Sequence, residues 1–352
     1  MIATHEKLTA WLPHLTTAEW IALDTEADSL HAYPEKICLL QITFPGGDEL
    51  IDPLASVDLT PLLEALRGRE LILHGADYDL RLLRRAYNFV PQTIFDTMLA
   101  ARLLGYPEFG LANLVAKHLG VVLEKGPQKA NWAIRPLTDR MADYARNDTR
   151  FLHPLAQLLK AELREKGRLS WLQESCAQLV AECAHLRPRD TDLIWRIKGS
   201  DRLDRSALTV LRELWHWREA EAVAANKPPF FILSHELMTE VASVALTTPS
   251  LETLLPRHLS PRRRDGLAVA VDRARAVPVG DRPDYLQHTS IRLTDADKRQ
   301  VERLKVRRDQ RAHELAIDPT LIASRATLVL LAQDWPLHHT GLMAWQRELL
   351  QP

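Results

Sequence analysis

Between Trp20 and Leu169 the apolar positions follow two rhythms. Short apolar runs at Trp20-Ile-Ala-Leu-Asp24, Ile37 to Phe44, Glu49 to Asp52, Leu71 to His74 and Ile94-Phe95-Asp96 have the length of buried strands. Gly46-Gly47 supplies a turn between the second and third, so the opening reads as a β-meander. Helical spacing then alternates with strands. Leu62, Leu63 and Leu66 predict a short helix closed near Gly68, and Leu80, Leu83 and Tyr87 predict a longer one over Tyr78 to Tyr87. Helices follow through Leu119, and Arg140 to Leu159 carries another. Three strands followed by alternating strands and helices predict a mixed α/β sheet with flanking helices.

Beyond Leu169 the strand rhythm stops. Apolar residues recur every three or four positions through Trp171 to His185, Ser206 to Ala224, Ser234 to Ala245, Ser250 to Leu255 and Arg262 to Ala276, with Asn226-Lys-Pro-Pro229 breaking the series. Gly280 to Pro283 is rich in glycine and proline and marks a linker. Past it, Thr294 to Leu315, Thr320 to Ser324, Ala326 to Leu331 and Leu342 to Leu349 are again helical. The tail therefore reads as two small all-helical units. A chain of 352 residues exceeds one ordinary core, which agrees with two or three domains.

Composition narrows the class without naming a function. Apolar residues make up 46% and charged residues 26%, the balance of a globular protein in water. Met1 to Leu15 lacks both a basic start and a sustained apolar stretch, and no run approaches the roughly 20 residues that cross a bilayer. The expectation is a cytoplasmic protein with no membrane association and no obligate protein partner. Cys38, Cys176 and Cys183 form no C-x-x-C pair, so reduced and buried thiols are expected. A net charge of −1 announces no polyanionic partner. Its distribution says more: acids exceed bases by five in residues 1–150, and bases exceed acids by four in the remainder. An acidic half that gathers cations and a basic half that meets phosphate would produce this, and so would sequence drift.

Candidate chemistry lies in the acids. Asp24 and Glu26 stand two apart on a strand and so project from one face. Like charges beside a core strand repel, and a divalent cation removes that cost. A frayed strand end would leave them merely solvated, and Asp28 shows that acids are common here. Asp79 follows the Gly75 break near the first turn of a helix, where an acid also serves the helix dipole, and Asp77 competes with it. Tyr144 and Asp148, four apart, are neighbours on one helix face. Each feature alone is common.

Together they run Asp-x-Glu, Asp, Tyr-x-x-x-Asp on strand, helix start and helix, and in that order the chain resembles the tyrosine-bearing branch of the DEDD exonuclease superfamily. The words around them, Asp24-Thr-Glu26, Ile37-Cys-Leu-Leu-Gln-Ile42, His74-Gly-Ala-Asp-Tyr-Asp79-Leu, Phe95-Asp-Thr97, Leu111-Ala-Asn-Leu114 and Asn131-Trp-Ala-Ile-Arg-Pro-Leu-Thr138, narrow the likeness to the ribonuclease D family. Trp195-Arg-Ile-Lys-Gly199, Leu211-Arg-Glu-Leu-Trp-His-Trp-Arg-Glu-Ala220 and Lys227-Pro-Pro resemble the start of an HRDC domain. Lys305 to Leu328, with Ile317-Asp-Pro-Thr-Leu-Ile-Ala-Ser-Arg325, resembles a second, more divergent one.

The resemblance implies a ribonuclease H-like exonuclease domain over 1–190, a connector over 191–202, an HRDC domain over 203–281 and a second HRDC-like helical domain over 282–352. It implies catalytic residues Asp24, Glu26, Asp79, Tyr144 and Asp148, the four acids holding two divalent ions, Mg²⁺ or Mn²⁺. Asp24 would bridge both ions, Glu26 and Asp148 would complete the nucleophile side, and Asp79 would support the leaving-group side. Hard oxygen ligands suit these ions, and no Cys/His set argues for zinc. Tyr144, whose phenol has an ordinary pKa of about 10, is a poor base at neutral pH and is expected to position the attacking water. The implied activity is 3′→5′ trimming of RNA to nucleoside 5′-monophosphates, on tRNA precursors and other structured RNAs with 3′ extensions.

Two alternatives are a DNA exonuclease, because the same chemistry cuts both polymers, and a silent RNA-binding module, against which the full set of acids argues. Lys129, Trp132 and Arg135 either meet RNA, with Trp132 stacking on a base, or serve the core and a structural acid. His74 is expected to be structural. Arg257, Arg262, Arg263 and Arg264 form either a phosphate-binding patch or a solvated face, and at least one of Trp215 and Trp217 should be core. Asn131 departs from the family, which often has an acid there, and the second tail domain is abbreviated.

Overall fold

In the computed structural model the structure describes residues 1–124, 126–185, 190–248, 250–257, 259–286 and 293–351. The remaining positions of the expected units, 125, 186–189, 249, 258, 287–292 and 352, lie outside the described residues. The chain opens with α1 (His5–Thr16), β1 (Ile21–Ala27), β2 (Ile37–Phe44), β3 (Gly47–Ile51) and α2 (Thr60–Arg67). Then come β4 (Glu70–Leu73), α3 (Asp77–Tyr87), β5 (Thr93–Asp96), α4 (Thr97–Leu104), α5 (Leu111–Leu119), α6 (Asp139–Arg150), α7 (Leu152–Glu165) and α8 (Leu169–Ala184).

The strands form one sheet in the order β3-β2-β1-β4-β5, antiparallel across β3, β2 and β1 and parallel across β1, β4 and β5. This is the expected meander extended by a parallel half. Every residue of β2 is buried, as helix-covered sheet interiors require. Cys38, Cys176 and Cys183 are buried, and among the described residues none forms a disulfide. Burial pushes Cys176 up to about 12 and Cys183 up to about 11. Among the described residues no helix is long and apolar enough to cross a membrane.

Several elements differ from the sequence expectation, among them the short helices at Pro229–Ile232 and Trp335–His338. Helix α1 was not anticipated; Leu8, Trp11 and Leu15 make a sparse buried stripe, and the Thr4 hydroxyl accepts from the amide of Lys7 to start it. The predicted helix over Arg140 to Leu159 is two helices parted at Phe151. Pro154 explains the break, since its ring clashes with the carbonyl four residues earlier, at Arg150. Ser250 to Leu255 forms turns, not a helix. Leu255 precedes Pro256, which disfavours the helical conformation there.

Tail helices α9 (Arg205–Ala225), α10 (Pro229–Ile232), α11 (His235–Val244) and α12 (Pro261–Ala276) are followed by α13 (Asp295–Leu315), α14 (Pro319–Ile322), α15 (Arg325–Gln333), α16 (Trp335–His338) and α17 (Ala344–Leu350). The chain divides into two compact units, Met1–Ala27 with Ile37–Leu186 and Ile291–Pro352, and Asp28–Lys36 with Arg187–Ser290. In the second unit Trp195, Leu208, Leu211, Leu214, Met238 and Val241 build the core, with Trp215 and Trp217 both half-buried against it. The β1–β2 connection belongs to this unit, and Asn226 accepts from the Tyr33 amide at 3.3 Å. Gly280 to Pro283 is not a free linker. Arg205 donates to the carbonyls of Arg282 (2.7 Å) and Pro283 (3.2 Å), strapping the segment to α9.

The two helical segments repeat at a constant offset of 90 residues. Asp204 and Thr294 cap helices of 21 residues that end on the left-handed Asn226 and Ala316. Pro229 and Pro319 start short helices, and Ser234 and Ser324 cap the next. Mostly buried Arg218 and Arg308 occupy equivalent places, each donating to the carbonyl just before the serine cap, Leu233 and Ala323.

Within the first unit, α13 to α17 dock on α4 and α8. Arg168 bridges the carbonyls of Leu103 and Leu315, both at 2.8 Å, and the Trp171 and Trp345 rings stack at 4.8 Å. Gly105 ends α4 at φ +86, and a Cβ there would fall 1.9 Å from the Ala316 carbonyl oxygen. Gly105→Ala is therefore expected to lower stability by about 2 kcal/mol or more and to expose α13–α17 to protease. Denaturant unfolding and limited proteolysis would check this, and an unchanged midpoint would contradict the docking assignment.

Candidate active site

The site is built where strand pairing runs out. β1 pairs with β4 only at Ile21 and Ala22, whereas its pairing with β2 continues to Ala27. The β4 edge of β1 is thus free beyond Ala22. There the Thr25 amide donates to Asp79 Oδ1 at 3.1 Å, and the Thr25 hydroxyl donates to the same oxygen. Asp79 is the third residue of α3, and the turn that aims α3 is organised by one carboxylate. Asp96, 1% exposed, accepts from the amides of Gly75 (3.0 Å), Ala76 (2.8 Å), Met98 (2.8 Å) and Leu99 (3.2 Å). It caps α4 and fixes the β4–α3 turn together.

Helix α6 delivers the last acid. Thr149 meets Thr43 of β2 at 2.7 Å, while Arg146 and Arg150 clasp Asp48 of β3 at 3.0 and 2.7 Å. One turn of helix then sets Tyr144 and Asp148 on the same face. Ligand oxygens of Asp24, Glu26 and Asp148 all lie within 4.8 Å of one another. The Tyr144 phenol hydrogen-bonds to Asp148 and receives the Gln128 side chain.

Burial dominates the electrostatics. It pushes Asp24 well above the carboxylate range, with Asp79, Asp148 and Glu26 adding repulsion. Burial raises Glu26 to about 9, helped by Asp148 and Asp79. Asp148 rises to about 7 through burial, against the pull of its Tyr144 hydrogen bond. Asp79 rises to about 6 through burial, against its hydrogen bonds from Thr25. The Tyr144 phenol is also raised, first by burial and then by Asp148, and stays protonated at neutral pH. No cationic side chain stands among the main influences on these four acids. A crowded, desolvated set of mutually repelling hard oxygens fits divalent cations of the magnesium class.

The other residues singled out from sequence take structural places. Trp132 is 1% exposed in a core cluster with Leu39, Leu50 and Met141, its ring centroid 6.1 Å from that of Tyr144. Arg135 grips buried Asp52 through Nε at 2.6 Å and through a second nitrogen at 2.7 Å. These places match the reading in which Trp132 serves the core and Arg135 a structural acid; Lys129 is exposed on a turn. His74 Nδ1 bonds the Thr97 hydroxyl at 2.9 Å. Asp28 accepts from the Lys36 amide at 2.7 Å, and Asp77 pairs with Arg81 at 2.8 Å. In the arginine run, Arg262 and Arg263 face Glu221 at 2.5 and 3.6 Å, and Arg264 faces Glu252 at 2.5 Å. Internal acids thus occupy three of the four candidate phosphate contacts.

Two further residues are legible only in three dimensions. Gln41 stands opposite Asp24 in the β1–β2 register, wholly buried, with no hydrogen-bond partner for its amide among the described residues. Gly126 lies flat on the Tyr144 ring, where an added Cβ would fall 1.5 Å from Cδ2. Both sit near sequence words that resemble the family, but neither carries an ionisable group that would mark it.

Comparison with known proteins agrees with this geometry. Residues 1–164 match the family described as 3′-5′ exonuclease, and residues 207–250 match the HRDC domain. The chain is 30% identical to ribonuclease D of Desulfotalea psychrophila, covering 100% of this chain and 96% of that one. It is 32% identical to ribonuclease D of Gluconacetobacter diazotrophicus, covering 99% and 89%. Among solved structures it resembles Escherichia coli RNase D, described as an exoribonuclease involved in structured RNA processing, with a TM-score of 0.77, 25% identity and coverage of 100% and 98%.

The raised carboxyls set a pH dependence. The folded protein holds protons on Asp79, Asp148 and Glu26 up to about 6, 7 and 9, while the unfolded chain releases them near about 4. Stability of the metal-free protein should therefore be highest in acid and fall as pH rises through that window. Asp24→Asn should raise the metal-free melting temperature at pH 8 and abolish the further rise that Mn²⁺ gives the wild type. Thermal scans with chelator and with Mn²⁺ test this; a variant that melts like the wild type in both would contradict the cluster's repulsion.

Proposed function

The chain belongs to the ribonuclease D family, and from that premise we propose that its acidic cleft removes nucleotides one at a time from RNA 3′ ends by two-metal hydrolysis, releasing nucleoside 5′-monophosphates. The enzyme is a hydrolytic exoribonuclease. The observation that carries the finer reading is the meeting of Asp24, Glu26 and Asp148 within 4.8 Å beside Asp79, which is tied to Thr25.

In this reading Asp24, Glu26, Asp79 and Asp148 hold a pair of Mg²⁺ or Mn²⁺ ions. When bound, such ions supply activation of the attacking oxygen and stabilisation of the leaving 3′ oxygen. The protein's own contribution is positioning. Asp148 is fixed by α6 and by the Tyr144 phenol, and Asp79 is fixed by the Thr25 amide. A protonated phenol cannot take a proton at neutral pH, so Tyr144 orients the attacking water by hydrogen bonding. Gly126 gives its ring the space to do so.

The substrates proposed are tRNA precursors and other structured RNAs with 3′ extensions, in line with the structured-RNA processing of the Escherichia coli relative. Cys38, Cys176 and Cys183, buried and outside disulfides, suit a reducing cytoplasm. We read 203–281 as the HRDC domain and 282–352 as a second HRDC-like domain. The 90-residue repeat supports the second, down to the equivalent arginines Arg218 and Arg308.

Incubating the protein with a 3′-extended tRNA and Mg²⁺ or Mn²⁺ should give a ladder of single-nucleotide products; absence of trimming, or preference for DNA of the same sequence, would reject the assignment. Asp24→Asn should cut turnover by about 10³-fold or more, the scale of losing several kcal/mol of charge stabilisation. Tyr144→Phe should cost about 10²-fold, like the loss of one aligned donor, with Mn²⁺ affinity by calorimetry largely intact. Gly126→Ala should match Tyr144→Phe, and combining the two should add little, because they act on one group. Additive losses would show that Gly126 does not act through the ring.

A further inference from the structure

The last helical segment carries a feature that the acidic cleft does not use. Along α13, Arg299, Arg303, Arg307 and Arg311 recur at every fourth residue, in one row with about 6 Å of helix rise between neighbours. Like charges at this interval destabilise a helix, and Arg299 adds a positive charge near the N-terminal end of the dipole. The scaffold does not need them. At the 90-residue offset, α9 carries Thr209, Glu213, Trp217 and Glu221 in the same row. There Thr209 is buried and Trp217 packs against Gly266 of α12. In α9 the row is built to receive a helix.

In α13 the row instead lines an open groove of about 920 Å³, with Glu302, Gln310 and Gln351 beside the four arginines, and Glu302 is paired with Lys305 at 3.5 Å. Local contacts hold the guanidinium groups out along it. Arg303 donates to Gln300 at 2.9 Å, Arg307 to the Leu350 carbonyl at 3.3 Å, and Arg311 to Glu314 at 2.8 Å. Among the described residues, Arg311 alone of the four pairs with a carboxylate.

We propose that this row is a track for the phosphodiester backbone of RNA, a reading that rests on the exoribonuclease function above. Its warrant is periodicity and donor chemistry. A fixed interval between cations suits a polymer with one charge per repeat, and the planar guanidinium offers paired donors to phosphate oxygens. A helix that lies on a membrane needs a broad apolar face, and Val306 is the single apolar residue lining this groove. The track would hold RNA upstream of the 3′ end by charge and without base selection.

The test uses the full chain in chelator, the double variant Arg299→Ala/Arg303→Ala, and the corresponding Lys/Lys variant. Fluorescence anisotropy reads binding of a 3′-extended structured RNA across a salt series. The Ala/Ala variant should bind about tenfold more weakly at low salt and flatten the slope of log affinity against log salt by roughly 1.4 to 1.8. The Lys/Lys variant should keep most of both, and trimming of a short single-stranded oligoribonucleotide with Mn²⁺ should be unchanged. Equal affinity and slope for wild type and Ala/Ala would overturn the track. So would a loss confined to phosphatidylserine vesicles with RNA binding intact. Failure of the wild type to trim the short oligonucleotide would instead reject the exoribonuclease reading, and the binding slope would still decide the track.

Discussion

Parallel pairing between β1 and β4 ends at Ala22, and the Thr25 amide turns to a side chain instead of a strand. The rest of the cleft depends on that substitution. A buried amide must find an acceptor, and Asp79 supplies one while bringing a carboxylate to the strand that already carries Asp24 and Glu26. The arrangement needs α3 to start at one place and angle. Asp96 secures both by accepting four backbone amides from the β4–α3 turn and the start of α4.

The consequence is a site that works against the stability of the fold holding it. Four acids are desolvated together, each raised chiefly by burial, and the large apolar core around the sheet offsets their repulsion. Such tension is typical of sites shaped for a ligand that the bare protein lacks. Tyr144 enters the same balance differently. Its raised phenol keeps its proton, so it orients and donates, and the bare backbone of Gly126 makes room for its ring.

The helical tail shows one scaffold put to two uses. The segments beginning at α9 and α13 share caps, left-handed helix ends, proline starts and a mostly buried arginine, at a fixed spacing. Those shared features are what the local fold requires. What differs lies on the surface of the long helix: in α9 the row meets α12 through Trp217, and in α13 it presents arginines to solvent. The residues dispensable to the scaffold are therefore the ones that can specialise.

Sequence alone determined the order of strands and helices in the sheet domain from β1 onward, the helical character of the tail and the acids that meet in the cleft. These are written in local periodicity and in residue types with few structural substitutes. It misjudged the helix break at Phe151 and the turns at Ser250 to Leu255, where Pro154 and Pro256 outweighed the apolar spacing. Only the tertiary structure decided between open alternatives: that Trp132 is core, that Arg135 serves Asp52, and that Arg262, Arg263 and Arg264 answer to Glu221 and Glu252. It alone revealed Gly126 beneath Tyr144 and Gln41 across from Asp24. The reason is physical: a side chain's partner is set by which distant segments the fold brings within a few ångströms, and no local pattern encodes that distance.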